Sequence, residues 1–290
     1  MAKKRKQNAT DKSEAKSKSP KRAKRVRMAD SADKFALYEA AVQEASLEVE
    51  FMLQLWKDLF GTPVIHLRED FCGSAWICAE WVKSGGKREA VGVDLEPSVL
   101  EWGRKRHIEP LGKKAKRVRL LEENVLETEP GLVDMIAALN YSYFIFKTRE
   151  QLRQYFRRAW EGLKDDGVLV LDAYGGSDAQ VVLKERRRCE GFSYVWEQAY
   201  YNPINNDVTN HIHFHFPDRS KIKKAFTYEW RLWQIAELQE LLLEAGFDQA
   251  LVFWDEEDED GDSTGNWVPV LDADNDPGWN AYIVGVKRSD

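Results

Sequence analysis

Residues 62–97 read TPVIHLREDFCGSAWICAEWVKSGGKREAVGVDLEP. Pro63 to Leu67 is a short apolar run behind a glycine and a proline, the pattern of a buried strand. Trp76 to Val82 carries apolar residues at helical spacing, and Gly85-Gly86 stops that helix. Ala90 to Val93 reads as a second buried strand, ending in Asp94. The stretch is therefore one βαβ unit, whose right-handed crossover makes the two strands parallel neighbours. Ligands of such sheets sit beyond the carboxyl ends of the strands. Glu69, Asp70 and Gly73 at one strand end and Asp94 at the next are thus expected to face one crevice.

What the turn lacks narrows the ligand. A carboxylate about twenty residues after a glycine turn suits a ribose hydroxyl, but the dinucleotide fingerprint G-x-G-x-x-G is absent. Phe71, Cys72, Ser74 and Ala75 stand where a pyrophosphate needs bare backbone, and Glu69 and Asp70 repel phosphate. An acidic turn suits a ligand with a ribose and a cationic group but no phosphate, and S-adenosylmethionine fits that description. Glu69-Asp70-Phe71-Cys72-Gly73-Ser74-Ala75, followed by Asp94, resembles the nucleoside-binding half of class I S-adenosylmethionine-dependent methyltransferases, with less glycine than their usual turn. The likeness covers roughly residues 60 to 175. It implies that Glu69, Asp70 and Gly73 meet the methionine end of the cofactor and that Asp94, with Leu95, grips the ribose. It also implies a doubly wound, Rossmann-like seven-stranded α/β sheet and transfer of a methyl group to an N, O or S acceptor.

Composition is that of a globular protein. Hydrophobic residues make up 43% of the 290 and aromatic residues 12%, enough for an ample core. No apolar run approaches the roughly 18 residues that span a bilayer, and the N-terminus is charged rather than signal-like. The three cysteines, Cys72, Cys78 and Cys189, cannot all pair and form no metal-spaced cluster, which points to a reduced, cytoplasmic setting and to no bound metal. Cys72, in the ligand turn, is either a reactive thiol or a small packing residue. Residues 1–28 hold twelve Lys or Arg against two acids, so the remainder of this −6 chain is near −16. That tail, taken as disordered over 1–29, is read as a nuclear-localisation signal, an electrostatic hold on nucleic acid, or a solubilising extension. The acidic folded part offers no basic nucleic-acid groove.

The rest of the chain is read in order. Asp30 or Ser31 caps a helix that runs, with a break, to Phe60 and stops at Gly61, making residues 30–60 a helical lid. Tyr38 and Gln43 on it are candidates to cover the cofactor, with a core role as the alternative for Tyr38. Residues 61–176 form the cofactor-binding half. Pro97 to His107 is a helix with Ser98 at its start, and Val118 to Leu121 is the third strand. The family resemblance maps adenine contacts onto Asn124, whose amide oxygen can accept from an exocyclic amine, and onto the Val125 backbone. Val133 to Leu139 is the fourth strand, followed by Asn140-Tyr141-Ser142-Tyr143-Phe144 where the family holds residues beside the transferred methyl group. An Asn-Pro-Pro-Tyr sequence, used on DNA or glutamine amines, is absent. Asn140 is assigned to both cofactor and catalysis, and Tyr141 to the acceptor or to packing. Thr148 to Leu163 is an amphipathic helix, and Val168 to Leu171 is the fifth strand, pointing Asp172 and Tyr174 at the crevice.

Residues 177–230 change character. Phe192–Tyr201, Val208–Phe216 and Lys221–Trp230 alternate between turns and read as a three-stranded antiparallel meander that walls the acceptor pocket. His211, His213 and His215 share one face of a strand and are read either as a Zn²⁺ site, which their spacing along the strand permits only with long reaches, or as a polar strand face. Arg231 is read as a contact to a substrate carboxylate or phosphate, or as a structural ion pair. Residues 231–290 then supply a helix, Ile235 to Ala245, and two strands, Leu251–Trp254 and Tyr282–Val286, that complete the sheet. Asp255 to Pro277 between them reads as a solvated acidic loop, in which 258–262 lacks the elements of a calcium site.

A methyl transfer to a small-molecule acceptor is the leading expectation, with Asn140, Tyr143, Asp172 and one of the histidines as the groups able to act on the acceptor. Protein and nucleic-acid acceptors follow, the latter resting on the basic tail. The rivals are a non-catalytic, tail-directed scaffold that binds the cofactor, and a dinucleotide-dependent oxidoreductase, which the acidic turn disfavours.

Overall fold

The computed structural model describes residues 26–257 and 263–289. The greater part of the basic tail and the tip 258–262 of the acidic run lie outside the described residues. The N-terminal helix is three pieces: α1 (Met28–Ser31), α2 (Lys34–Val42) and α3 (Ala45–Phe60). The cap is Asp33 rather than Asp30 or Ser31; its side chain accepts from the Phe35 and Ala36 N–H groups, and extended backbone at Ala32 and Asp33 separates α1 from α2. Gly61, at φ 65°, ends α3 as expected of a left-handed cap.

The first strand, β1, spans His66–Asp70, three residues later than the apolar run suggests. Hydropathy misplaced it because its last three residues are charged yet buried. Arg68 and Asp70 pair at 2.8 Å inside the protein, and the Tyr155 hydroxyl donates to Asp70 at 2.9 Å. A buried ion pair persists only with such additional partners. From there α4 (Trp76–Lys83), β2 (Glu89–Asp94), α5 (Pro97–Gly103) and β3 (Val118–Glu122) follow. The expected helix to His107 ends at Gly103, continuing as a π turn over Arg104–Ile108, and the Glu96 side chain caps it by accepting from Ser98 N–H. Next come β4 (Val133–Ala138), α6 (Arg149–Gly162) and a long β5 (Leu163–Gly175).

Four antiparallel strands come next: β6 (Leu183–Cys189), β7 (Phe192–Asn202), β8 (Asp207–His215) and β9 (Lys221–Arg231). The sequence reading missed β6, whose Leu-Lys-Glu-Arg-Arg-Arg-Cys is an almost wholly charged edge strand with no buried face to betray it. The chain ends with α7 (Ile235–Ala245), β10 (Gln249–Glu257), β11 (Ser263–Val270) and β12 (Trp279–Val286). Much of the acidic run is therefore not loop: β10 and β11 pair as an antiparallel hairpin.

The large sheet has the order β3-β2-β1-β4-β5-β12-β10-β11. The pairs among β1 to β5 are parallel, and β12 runs against both β5 and β10. This is the doubly wound α/β sheet read from the sequence, with β11 added at one edge. One core packs α6 and α7 against one face, and a second packs α3 and α4 against the other. A third, smaller core joins α2 to the four-stranded sheet through Ala41, Phe192, Ile212 and Phe214. That contact sets α2 and β9 over the carboxyl ends of β1, β2 and β4, while α3, expected as part of a lid, belongs to the core of the large sheet.

Candidate active site

The carboxyl ends of β1 and β2 are tied by the ligand turn. Phe71, Gly73 and Ala75 all take positive φ, Cys72 N–H donates to Val93 O at 3.0 Å, and Gly73 N–H donates to Asp94 Oδ2 at 2.8 Å. Asp94 Oδ1 accepts from Glu96 N–H at 2.9 Å. The acid is thereby fixed at the strand end, and each oxygen keeps lone-pair capacity for a ligand hydroxyl. Gly73 faces open space where a Cβ would stand, whereas a Cβ at Gly103 would lie 2.0 Å from Ser74 O; that second glycine lets α5 close against the turn.

Glu69 is buried at 5% exposure and reaches beneath the turn to accept Cys78 N–H at 3.0 Å in the first turn of α4. Burial pushes its carboxyl up to about 7, against the opposing effect of the Cys78 hydrogen bonds. A carboxyl group thus fills the helix N-terminus where a dinucleotide fold binds pyrophosphate. Asp70 does not face the crevice; it belongs to the buried pair with Arg68. Cys72 is 2% exposed, and burial raises its thiol well above the ordinary value, as suits a packing residue.

A cleft of about 450 Å³ opens above the turn. Gly73, Asp94 and Asn140 line its floor, Tyr38 and Glu39 of α2 with the following Gln43 its roof, and Phe226, Tyr228 and Trp230 of β9 its far wall. The roof is latched by Glu39, a residue the sequence reading passed over. At 6% exposure it accepts from Ser74 Oγ at 2.6 Å and meets His107 Nε2 at 2.5 Å, with Arg106 Nε 3.5 Å away. Asp33 adds a second tie, accepting from Trp102 Nε1 at 2.6 Å.

The cleft runs into a second chamber of about 610 Å³, and Tyr38, Asn140, Tyr228 and Trp230 line both. Tyr38 and Tyr228 are both partly buried there, and burial pushes the Tyr38 hydroxyl up to about 12 and that of Tyr228 well above its ordinary value. Tyr141 and Tyr174 line the second chamber, together with Tyr194 and Trp196 of β7. Tyr228, Trp230 and Trp196 were legible only as part of a meander expected to wall the pocket; their alternation gave a strand, and nothing in it named which face the pocket takes.

Asn140 and Tyr141 are both left-handed, at φ 56° and 57°. Asparagine tolerates this conformation, and tyrosine does so at a cost of about 1 kcal/mol. Asp172 holds the pair: its two oxygens accept Asn140 N–H at 2.7 Å and Tyr141 N–H at 2.8 Å. Burial drives the Asp172 carboxyl up to about 8, even though these hydrogen bonds pull the other way. Asp172 is therefore a positioning residue in this structure and does not line the second chamber. Tyr143 is fully buried, donates to the Asp172 carbonyl oxygen at 2.8 Å and lines neither the cleft nor the second chamber. Arg231 is held by Glu237 at 2.8 Å and lies over the Trp233 ring at 3.8 Å, so it is a structural ion pair. Leu95 and Asn124 line a separate outer depression, Asn124 Oδ1 accepts Leu126 N–H at 3.0 Å, and Val125 is buried.

His211 contacts Thr227 Oγ1 at 3.0 Å, and His213 Nδ1 accepts Lys224 N–H while its Nε2 donates to Glu197 at 2.7 Å. These imidazoles are engaged within their own sheet.

No protein-family model and no curated protein sequence matches the chain significantly. Solved structures do. An S-adenosylmethionine-dependent methyltransferase from Clostridium acetobutylicum is similar at 14% identity over 88% of this chain and 98% of its own, with a TM-score of 0.64. The CcbJ methyltransferase of Streptomyces caelestis is similar at 13% identity over 85% of this chain and 90% of its own, with a TM-score of 0.64. CalS10 of Micromonospora echinaspora, an amino pentose methyltransferase involved in calicheamicin biosynthesis and seen with S-adenosylmethionine bound, is similar at 13% identity over 87% and 95%, with a TM-score of 0.61. The chain has the fold of S-adenosylmethionine-dependent methyltransferases.

Proposed function

We propose that this protein is an S-adenosylmethionine-dependent methyltransferase acting on a small-molecule acceptor. The observation that carries the reading is the pair of connected cavities: a cleft over Gly73 and Asp94 that opens, at Tyr38, Asn140, Tyr228 and Trp230, into an aromatic chamber. The cleft suits this cofactor in its chemistry. It offers a fixed carboxylate for ribose hydroxyls, an open glycine, aromatic walls for a sulfonium, and no cradle for phosphate. Asp94 and Gly73 are the residues that would hold it, beneath Tyr38 and Gln43. Bound there, the cofactor supplies an electrophilic methyl group on a sulfonium. The chain's own contribution is alignment and exclusion of water. The latched α2 roof closes the cleft, the Tyr38–Tyr228 pair and Trp230 narrow its junction with the chamber, and the Asn140 amide can accept a hydrogen bond from an amine or hydroxyl acceptor. The small-molecule reading draws on the aromatic-lined chamber and on the amino pentose acceptor of CalS10, and KedS8, a sugar N-methyltransferase, shares the fold with a TM-score of 0.60.

Calorimetric titration of the purified protein with S-adenosylmethionine and S-adenosylhomocysteine tests this. Micromolar binding is expected, lost by tenfold or more in Asp94→Ala. Folded protein that binds neither compound would overturn the reading.

A further inference from the structure

A third cavity, of about 350 Å³, adjoins the acceptor chamber. Tyr141 and Asn280 line both, and the Tyr141 hydroxyl donates to Asn280 Oδ1 at 2.6 Å in the partition between them. Its walls combine two features. Four carboxyl groups line it: Glu48 from α3, Asp172 from β5, Asp255 from β10 and Asp276 from the segment before β12. Three indole rings line it as well. Trp254 and Trp279 pack with centroids 5.4 Å apart, and Trp267 stands edge-on to Tyr282 at 4.5 Å.

Glu48 accepts from the Tyr282 hydroxyl and Asp172 from the Asn140 and Tyr141 N–H groups, but none of the four carboxyl groups meets a positive charge among the described residues. Among the described residues, no Lys, Arg or His forms an ion pair with any of the four, and no basic side chain lines the cavity. Asp255 Oδ1 is closed off from solvent and accepts no hydrogen bond. Buried acceptors of this kind are ordinarily satisfied, and a buried carboxylate is ordinarily paired. Burial raises both Glu48 and Asp172, and Glu48 adds to the rise at Asp172. A bare metal ion does not fit, because among the described residues no three acidic, His or Cys side chains converge as a metal site requires. Asp255 and Asp276, the two carboxyl groups not taken up by Tyr282 or by the Asn140–Tyr141 backbone, stand with three indole rings around the cavity, a lining that suits a larger cation with charge spread over methylene or methyl groups.

We infer that the cavity walled by Trp254, Trp267, Trp279, Asp255 and Asp276 is a binding site for an organic ammonium group. Its neighbour across the Tyr141–Asn280 partition is the acceptor chamber, so the ammonium is either the far end of the acceptor or a separate small cation. The cation site stands without the methyl-transfer reading; only its assignment to the acceptor rests on that reading.

The test uses the full chain, titrated with choline chloride and with 3,3-dimethyl-1-butanol, its uncharged isostere, while tryptophan fluorescence is read. Choline is expected to give a saturable change at least tenfold tighter than the alcohol. The Asp255→Asn/Asp276→Asn double variant should weaken choline tenfold or more and leave S-adenosylhomocysteine binding unchanged, which also shows that the variant is folded. No saturable choline binding, equal affinity for the two probes, or an unaltered double variant would overturn the inference. Failure of S-adenosylhomocysteine binding alone would instead strike the methyltransferase reading. A series of α,ω-diamines with labelled S-adenosylmethionine then separates the sources. Incorporation that choline suppresses makes the ammonium part of the acceptor; saturable choline binding without such incorporation makes it a separate ligand.

Discussion

Glu69 illustrates how one buried side chain constrains both ligand and stability. Its carboxyl sits at the N-terminus of α4, which favours negative charge, yet burial outweighs that field and holds its pKa up to about 7. The folded protein therefore keeps a proton that the unfolded chain releases near pH 4.5. The stability this contributes is complete below about pH 4.5 and is lost as pH rises through about 7. Glu69→Gln preserves an acceptor for Cys78 N–H and removes the titration. Its stability relative to the wild type is expected to rise between about pH 5 and about pH 8, by ~3 kcal/mol at most. Urea unfolding at a series of pH values measures this, and a difference that stays flat would remove the argument. Asp94, at the end of the neighbouring strand, works differently: its oxygens take backbone N–H groups and remain open to the cleft.

At the scale of elements, the decisive contact is α2 against the ligand turn. The helix is short and packs only a small core of its own, so its position depends on the Glu39 and Asp33 ties. Glu39→Ala leaves the Ser74 hydroxyl and the His107 ring without their acceptor, at a cost of about 1–3 kcal/mol. Amide exchange over residues 34–42 should accelerate about tenfold or more, with the parallel strands β1, β2 and β4 unaffected. Dissociation of S-adenosylhomocysteine should quicken in parallel. Exchange that speeds up equally throughout the chain would mean that α2 is an integral part of the fold rather than a latched cover. β9 is the complementary element, since its Phe226 packs against Phe35 and Tyr38 while Tyr228 and Trp230 form the wall shared by cleft and chamber.

The whole molecule separates its charges. The chain is −6 overall, its first 28 residues hold twelve of the 43 Lys and Arg against two acids, and an acidic run lies around β10, β11 and the cavity they help to line. Any non-specific hold on nucleic acid should then belong to the tail. A chain lacking residues 1–25 is expected to lose low-salt RNA binding and its steep salt dependence while keeping its affinity for S-adenosylhomocysteine. RNA binding that survives the deletion would move that function to the folded part. The doubly wound sheet was legible in the sequence because buried parallel strands and amphipathic helices have short-range signatures: VDMIAAL, VLVLD and the glycine stops need no partner to be recognised. Local chemistry likewise marked Gly73, Asp94 and Asn140, which line the cleft together. Burial and pairing were not legible, because they depend on residues far apart in the chain. Arg68 with Asp70 and Tyr155 turned a charged run into strand, Asp172 became the support of a left-handed pair, and Tyr143 and Arg231 were drawn into the packing. The sequence by itself determined the sheet and the acidic character of its ligand turn. Only the tertiary structure decided which carboxyl groups face a cavity, because that depends on which distant strands, rings and backbone N–H groups meet each one.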